Sequence, residues 1–244
     1  MSYSLKGKVA LVTGANRGIG KSIVDAFFAS GVAKVYLAVR NPESTQELQA
    51  QYGDRVVALP VDVTDEASVK RLAEQTRDVE ILVNNAGVMN LVSPLDEGAE
   101  AALQHEFNVN VFGLLRTAQA FAGTLEANKG VLVQLNSIAS MKTFGDMTTY
   151  CASKAAAYSV TQGLREKLGE KGVSVVSVHP GPIATDMGKS AGFDDAPQAE
   201  VVAASIVSAL ESGDFHAFPD EVAKQIEAAY QSYAENVILG EMSV

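Results

Sequence analysis

The chain has 244 residues, 47% hydrophobic and 20% charged, with Lys+Arg 19 against Asp+Glu 29 and a formal net charge of −10. This excludes a disordered chain, suffices for one sizeable core, and disfavours a polyanionic partner such as DNA, leaving room for a local cationic site for a small phosphate. The lone cysteine, Cys151, excludes an internal disulfide and a zinc cluster.

In chain order, a short apolar run from Val9 to Val12 follows Lys6 and Lys8 and is too short for a secretory leader. It reads as the first strand, Val9–Thr13, followed by a helix over Gly18–Ser30. Strand Lys34–Val39 precedes helix Glu43–Gln51, strand Val56–Val61 precedes helix Glu66–Gln75, and strand Glu80–Asn84 precedes a long helix, Ala99–Ala127. Strand Val131–Asn136, helix Thr149–Lys171 and strand Val173–His179 come next. Gly188–Gln198 holds Gly, Asp and Pro and reads as a mobile stretch of a substrate loop over about 186–198. The aliphatic stretch Val201–Leu210 is about ten residues, too short to span a bilayer. A short strand at Phe215–Phe218 and a last helix, Asp220–Ile238, with Val222, Ile226, Tyr230, Tyr233 and Val237 on one stripe, complete the order. Continuous apolar strands alternating with helices predict an α/β fold: one domain over 1–244, a doubly wound parallel sheet of about seven strands with helices on both faces. The expected location is the cytoplasm, with no membrane or nucleic-acid partner.

The first strand runs into Thr13-Gly14-Ala15-Asn16-Arg17-Gly18-Ile19-Gly20. Glycines at a strand-to-helix turn let a ligand approach the backbone, and the helix N-terminus offers unpaired N–H groups to a pyrophosphate. The second strand ends at Val39-Arg40, where an acid would grip a ribose 2′-hydroxyl and an arginine accommodates a 2′-phosphate. Arg17 and Arg40 aimed at one phosphate favour NADP(H) over NAD(H). Asp62-Val63 ends the third strand, where Asp62 either meets an adenine amino group or caps the helix near Glu66. Asn84-Asn85-Ala86-Gly87 ends the fourth and supplies a wall of small residues for the cofactor.

Tyr150 and Lys154 stand four apart at the start of a helix, on one face. An ammonium beside a phenol lowers its pKa from about 10, and a tuned tyrosine exchanges a proton with an alkoxide. Ser137, at the end of the fifth strand, reaches the same crevice and offers a hydroxyl to a carbonyl oxygen. Asn110 lies inside the long helix, where asparagine is a poor helix former. His105, His179 and His216 are scattered along the chain and read as structural, which argues against a metal site. Cys151 reads as a small buried side chain.

These motifs resemble the short-chain dehydrogenase/reductase superfamily over about residues 5–187: T-G-A-N-R-G-I-G at 13–20, N-N-A-G at 84–87, V-N-V-F-G at 109–113, N-S at 136–137, Y-C-A-S-K at 150–154 and H-P-G-P-I-A-T at 179–185. The resemblance implies a one-domain Rossmann fold using NAD(P)(H) without metal, with Tyr150 as acid/base. It implies that Lys154 binds the nicotinamide ribose and lowers the Tyr150 pKa, that Ser137 polarises the carbonyl, and that Asn110 holds a water in a relay through Lys154. Asn85 would contact the cofactor, and Ile183 and Thr185, after the Pro180-Gly181 turn, would meet its carboxamide side. The implied chemistry is reversible reduction of a ketone or aldehyde by NADPH. Reduction of 3-oxoacyl groups, a non-catalytic NADP(H)-sensing regulator, and a scaffold using the C-terminal helix are the alternatives. Val88, Met89, Met141, Phe144, Met147 and Met187 would give an apolar lining for a small apolar carbonyl or alcohol, and Asp194 and Asp195 disfavour a strongly anionic substrate. After Met187 the pattern departs from the family, whose C-terminal segment ends in a Gly-Gly strand turn and forms one tetramer interface. The helices at Ala99–Ala127 and Thr149–Lys171, which form its other interface, remain, so a homodimer or homotetramer is expected.

Overall fold

Six short runs containing β-branched residues and one two-residue strand pair edge to edge. The computed structural model describes residues 2–240; Met1 and residues 241–244, which the expected domain includes, lie outside the described residues. The strands are β1 Val9–Thr13, β2 Lys34–Val39, β3 Val56–Pro60, β4 Ile81–Asn84, β5 Val131–Leu135, β6 Ser174–Val178 and β7 His216–Ala217. They form one all-parallel sheet in the order β3-β2-β1-β4-β5-β6-β7. The helices are α1 Gly18–Ala29, α2 Gln46–Tyr52, α3 Glu66–Gln75, α4 Ala99–Glu106, α5 Gly113–Ala127, α6 Thr148–Gly169, α7 Asp186–Ser190, α8 Glu200–Ser212 and α9 Glu221–Tyr233.

Alternation along each strand builds two cores. Ala10 and Val12 of β1, Ile81 and Val83 of β4, and Val131 and Val133 of β5 face Ile23 and Phe27 of α1 and Val202 and Ile206 of α8. Leu11, Leu82 and Leu132 point the other way, to Leu72 of α3 and Phe121 and Leu125 of α5. Each fully buried Phe or Leu contributes about 1.5–3 kcal/mol, so both faces must be covered for the sheet to be stable. No helix among the described residues is long and apolar enough to cross a membrane.

Four features differ from expectation. The long helix splits into α4, a π-helical turn at Phe107–Phe112, and α5; the wide turn holds Asn110, whose side chain is drawn to the backbone of Val88. Helix α8 is not among the expected elements, because its Val and Ala residues are apolar on more than the one stripe that marks an amphipathic helix. The stretch read as a mobile loop begins inside α7 and is tied down by Ala184 N–H to Pro197 O (2.9 Å) and Phe193 N–H to Gly188 O (3.0 Å). The last strand is two residues, and α9 continues as a π-helical turn, Ala234–Ile238.

Candidate active site

Helix α1 leaves β1 on one face of the sheet and the α4–α5 run leaves β4 on the other, so a crevice opens beyond the carboxyl ends of these adjacent strands. Gly14 and Gly18 have φ of +67° and +51°, a region strained for any residue with a Cβ. Gly20 is required by space: a Cβ there would lie 2.1 Å from the Gly14 carbonyl oxygen. Arg17 caps α1 in an extended conformation with no side-chain bond to the helix, leaving the first-turn N–H groups for an anion. Asn16 and Ile19 are half-buried in this loop, and Ile19 packs on the core.

Thr13, absent from the expected site, is the tie of this cradle. Its hydroxyl accepts from the Asn85 and Ala86 amides at 3.0 Å each and faces Val83 O at 3.4 Å. Asn85 Nδ2 donates to the carbonyls of Thr13 (2.9 Å) and Gly14 (3.2 Å), so both its amide hydrogens build the cradle. The signal in the sequence was the Thr preceding the first glycine. At Gly87, a Cβ would lie 3.3 Å from Asn110 Oδ1 and 3.7 Å from Lys154 Nζ, so the glycine keeps the wall low beside the buried ammonium.

The two arginines have different surroundings. Arg40 is exposed and makes no ion pair among the described residues. Arg17 pairs with Asp186 of α7 at 2.9 Å, with both side chains about two-thirds exposed, so the expected aim at one shared phosphate is not realised in this arrangement. Such an exposed pair is worth only about 0–1 kcal/mol and yields readily to a phosphate. Asp62 does not cap α3; Asp65 does, accepting from Ala67 N–H at 2.9 Å. Asp62 accepts instead from the Thr64 hydroxyl and amide, which hold its carboxyl below the usual range, with Arg40 and Arg116 adding to the effect. Val63 is buried against Gly113.

Sheet register places the remaining groups. Leu135 of β5 pairs with Val178 of β6, so Ser137 and Pro180 lie side by side just past the sheet. The Ser137 Oγ accepts from Ala139 N–H at 3.1 Å and faces Pro180 O at 3.3 Å. Tyr150, half-buried in the first turn of α6, has Ser137 as a neighbour near enough to act on its phenol. Lys154, one turn on, is buried, donates to Leu135 O at 2.8 Å, and lies 5.8 Å from the Tyr150 ring centre. Burial lifts the phenol to about 12 and outweighs the neighbouring Ser137 hydroxyl, which acts downward; burial also lowers Lys154 to about 8. The expected downward pull of Lys154 is not among the influences on this phenol, which burial dominates.

Asn110 is buried beside Lys154, both lying next to Gly87. Oδ1 accepts from Val88 N–H (2.9 Å), while Nδ2 donates to Val88 O and to the Ser153 hydroxyl, both at 2.9 Å. Both amide hydrogens are committed, so its side chain fixes the loop after β4, and a water of the expected relay would have to donate to an oxygen of Asn110. Glu106, one helical turn earlier, is fully buried, accepts from Asn90 N–H at 2.7 Å, and has Oε2 without a partner among the described residues. A lone acid within a helical pattern reads as solvent-facing, so the sequence carried no signal for it. Ile183 is buried, and Thr185 caps α7 by accepting from Gly188 N–H at 3.1 Å, its methyl close to Gly18.

On the open side, Phe144 and Met187 are exposed, Val88, Met89 and Met147 are half-buried, and Met141 packs on the core beside Ile138 and Phe218. Leu91 and Leu95 add exposed apolar surface on the loop after β4. Cys151 is buried, with its sulfur 3.4 Å from Phe144 N. His105 is exposed, but His179 and His216 are not scattered in space: their ring centres are 5.7 Å apart.

Comparison with known proteins gives the family and the fold. The sequence profile of the short chain dehydrogenase family matches residues 8–196. An uncharacterised oxidoreductase of Staphylococcus aureus (strain USA300) is 40% identical over 187 residues, 74% of this chain and 80% of that protein. A short-chain dehydrogenase from Burkholderia cenocepacia J2315, solved in complex with NADP, superposes with a TM-score of 0.85 at 32% identity, covering 97% of this chain and 99% of that one. A 3-ketoacyl-(acyl-carrier-protein) reductase from Brucella melitensis, solved with NADH, gives 0.77 at 25% identity, covering 85% and 92%.

Proposed function

The chain belongs to the short-chain dehydrogenase family, and we propose that it transfers hydride reversibly between NADP(H) and an apolar ketone or aldehyde, with Tyr150 as acid/base. The observation that carries this reading is the convergence of a phenol, a serine hydroxyl and a buried ammonium beyond the ends of β4 and β5, beside a glycine cradle. The cradle fits a dinucleotide: Cβ-free backbone at Gly14, Gly18 and Gly20 meets an uncapped helix N-terminus. Arg40, with Arg17 released from Asp186, supplies two guanidinium groups for a 2′-phosphate.

When bound, the reduced nicotinamide supplies the hydride. Ser137 donates its hydroxyl hydrogen to the substrate carbonyl oxygen, exchanging its long contact with Pro180 O for a shorter one. Tyr150, protonated at neutral pH, donates to the same oxygen as charge develops there. Lys154 holds positive charge beneath the site while bonded to Leu135 O, and Asn110 and Glu106 hold the Val88–Asn90 backbone that walls the substrate side. A protonated phenol suits reduction better than oxidation. We extend the reading to a single-domain cytoplasmic protein assembling as two or four copies through α5 and α6.

The test is absorbance of reduced nicotinamide with a panel of aliphatic ketones, aromatic aldehydes, diketones and acetoacetyl-CoA. NADPH-dependent turnover of apolar members is expected, and Tyr150→Phe should lose at least about 100-fold in kcat. Undiminished turnover by Tyr150→Phe overturns the acid/base role. Equal kcat/KM with NADH and NADPH overturns the arginine argument, and preference for acetoacetyl-CoA points to the 3-oxoacyl reading.

A further inference from the structure

Behind Ser137 lies a buried chain of side chains centred on His179. His179, at the end of β6, is fully buried; Phe218 stacks on one face (centres 5.2 Å apart, planes at 20°) and Tyr158 meets it edge-on at 4.7 Å. Its Nδ1 lies 3.2 Å from the carbonyl oxygen of Ser137 and 3.1 Å from Ser140 Oγ, and its Nε2 lies 2.7 Å from Ser177 Oγ. A carbonyl oxygen only accepts, and pairing Nδ1 with it assigns the ring hydrogen to Nδ1. Nε2 is then an acceptor and the Ser177 hydroxyl donates to it. Ser177 Oγ in turn accepts from Asn136 Nδ2 at 2.9 Å, and that same amide nitrogen reaches Thr161 Oγ1 of α6 at 3.2 Å. Ser140 donates its hydroxyl hydrogen to the Ser137 carbonyl as well.

This assignment leaves each ring nitrogen with one role, which requires a neutral imidazole. Burial holds His179 neutral, down at about 3, with His216 adding to the effect. Three donors therefore meet the Ser137 carbonyl, the Ser140 N–H at 3.0 Å, the Ser140 hydroxyl and His179 Nδ1–H, of which only His179 comes from another strand, while Ala139 N–H occupies a lone pair of the Ser137 hydroxyl. A second lone pair and the hydroxyl hydrogen remain, and the hydrogen's acceptor within the fold, Pro180 O, is distant at 3.3 Å against a usual 2.7–2.8 Å.

We propose that His179 is the positioning residue of Ser137: as the Nδ1–H tautomer it fixes the serine's backbone so that the hydroxyl hydrogen is aimed at the substrate carbonyl. The inference rests on the reading of Ser137 given above. It assigns a function to a histidine that otherwise reads as core filling, and it makes the network Asn136–Ser177–His179 part of the catalytic geometry without contact to the reacting atoms.

The test compares Ser137→Ala, His179→Leu, His179→Asn and the Ser137→Ala/His179→Leu double variant in NADPH-dependent reduction of 4-nitrobenzaldehyde. Melting temperature and NADPH titration by fluorescence are measured alongside. His179→Leu should lose about 10- to 100-fold in kcat, as expected for a reacting group displaced by a fraction of an ångström, with KM and NADPH affinity little changed. His179→Asn, whose amide N–H stands in the place of Nδ1–H, should recover most of that loss even where its melting temperature does not recover. In the double variant the effect should vanish, with kcat within about two-fold of Ser137→Ala, because there is no hydroxyl left to aim. Losses that multiply, or an unaffected His179→Leu beside an impaired Ser137→Ala, overturn the inference while leaving the function intact. An unaffected Ser137→Ala overturns the function itself. Nitrogen-detected NMR of the imidazole decides independently of turnover and of how the variants fold: the Nδ1–H tautomer at pH 7 is expected, and the Nε2–H tautomer or an imidazolium overturns the proposal.

Discussion

Lys154 shows how one residue sets stability against function. Its ammonium is buried, with one carbonyl at 2.8 Å and no carboxylate partner among the described residues, and burial lowers it to about 8. Burying a charge without a counter-ion is costly, and a hydrophobic replacement of similar shape is often stabilising. Lys154→Met should therefore raise the melting temperature at pH 7 by about 2 °C or more while abolishing turnover. The sign of the pH dependence follows from linkage. Between about 8 and 10.5 the unfolded chain binds the extra proton, so the original protein gains stability relative to the variant as pH rises, and the difference closes near 10.5. Calorimetry of both proteins across that range checks it; a variant less stable at pH 7 would mean that the lost bond to Leu135 outweighs the charge. The types of Tyr150, Lys154 and Ser137 and their spacing were legible in the sequence. The state of Tyr150 was not, since its elevation depends on how much protein surrounds it.

At the scale of elements, the glycines separate into two physical kinds. Gly20 lies in the first turn of α1, where a Cβ would meet backbone at 2.1 Å that has no room to yield. Gly20→Ala should cost about 1–3 kcal/mol or more and open the cradle, measured by urea denaturation and by loss of NADPH binding. Gly123, inside α5, has open space where a Cβ would go, so Gly123→Ala should gain about 0.5–1 kcal/mol by helix propensity alone. Loss of stability at Gly123 would show a neighbour on that face. The strands and most helices were readable because their periods are local. The break at Phe107–Phe112 was not, because the partner that holds Asn110 is Val88, twenty-two residues away. Helix α8 was missed for a related reason: its apolar residues serve a contact with α1 that the local pattern does not announce.

For the whole molecule, the two sheet-end histidines set the response to acid. His179 and His216 are lowered by burial to about 3 and about 4, against an ordinary 6.5. Below 6.5 the unfolded chain binds protons that the folded one refuses, so stability is full above 6.5 and is lost as pH falls towards 4. Each buried neutral imidazole contributes up to about 1.4 kcal/mol per pH unit, less for the partly exposed His216. Urea denaturation between pH 4.5 and 6.5 should show a slope approaching two protons, and His216→Gln should reduce it towards one. A slope unchanged by that substitution would place the acid sensitivity elsewhere.

The sequence by itself determined the parallel sheet, the glycine cradle and the set of groups at the crevice, because strand and helix periods, glycine placement and four-residue spacing are properties of neighbouring residues. Only the tertiary structure decided the pairing of Arg17 with Asp186, the burial of Glu106, the commitments of Asn85 and Asn110, and the meeting of His179 with the Ser137 carbonyl. Each of these joins positions 16 to 169 residues apart, and it is burial and partner geometry across such separations, rather than residue type, that sets their charge state and orientation.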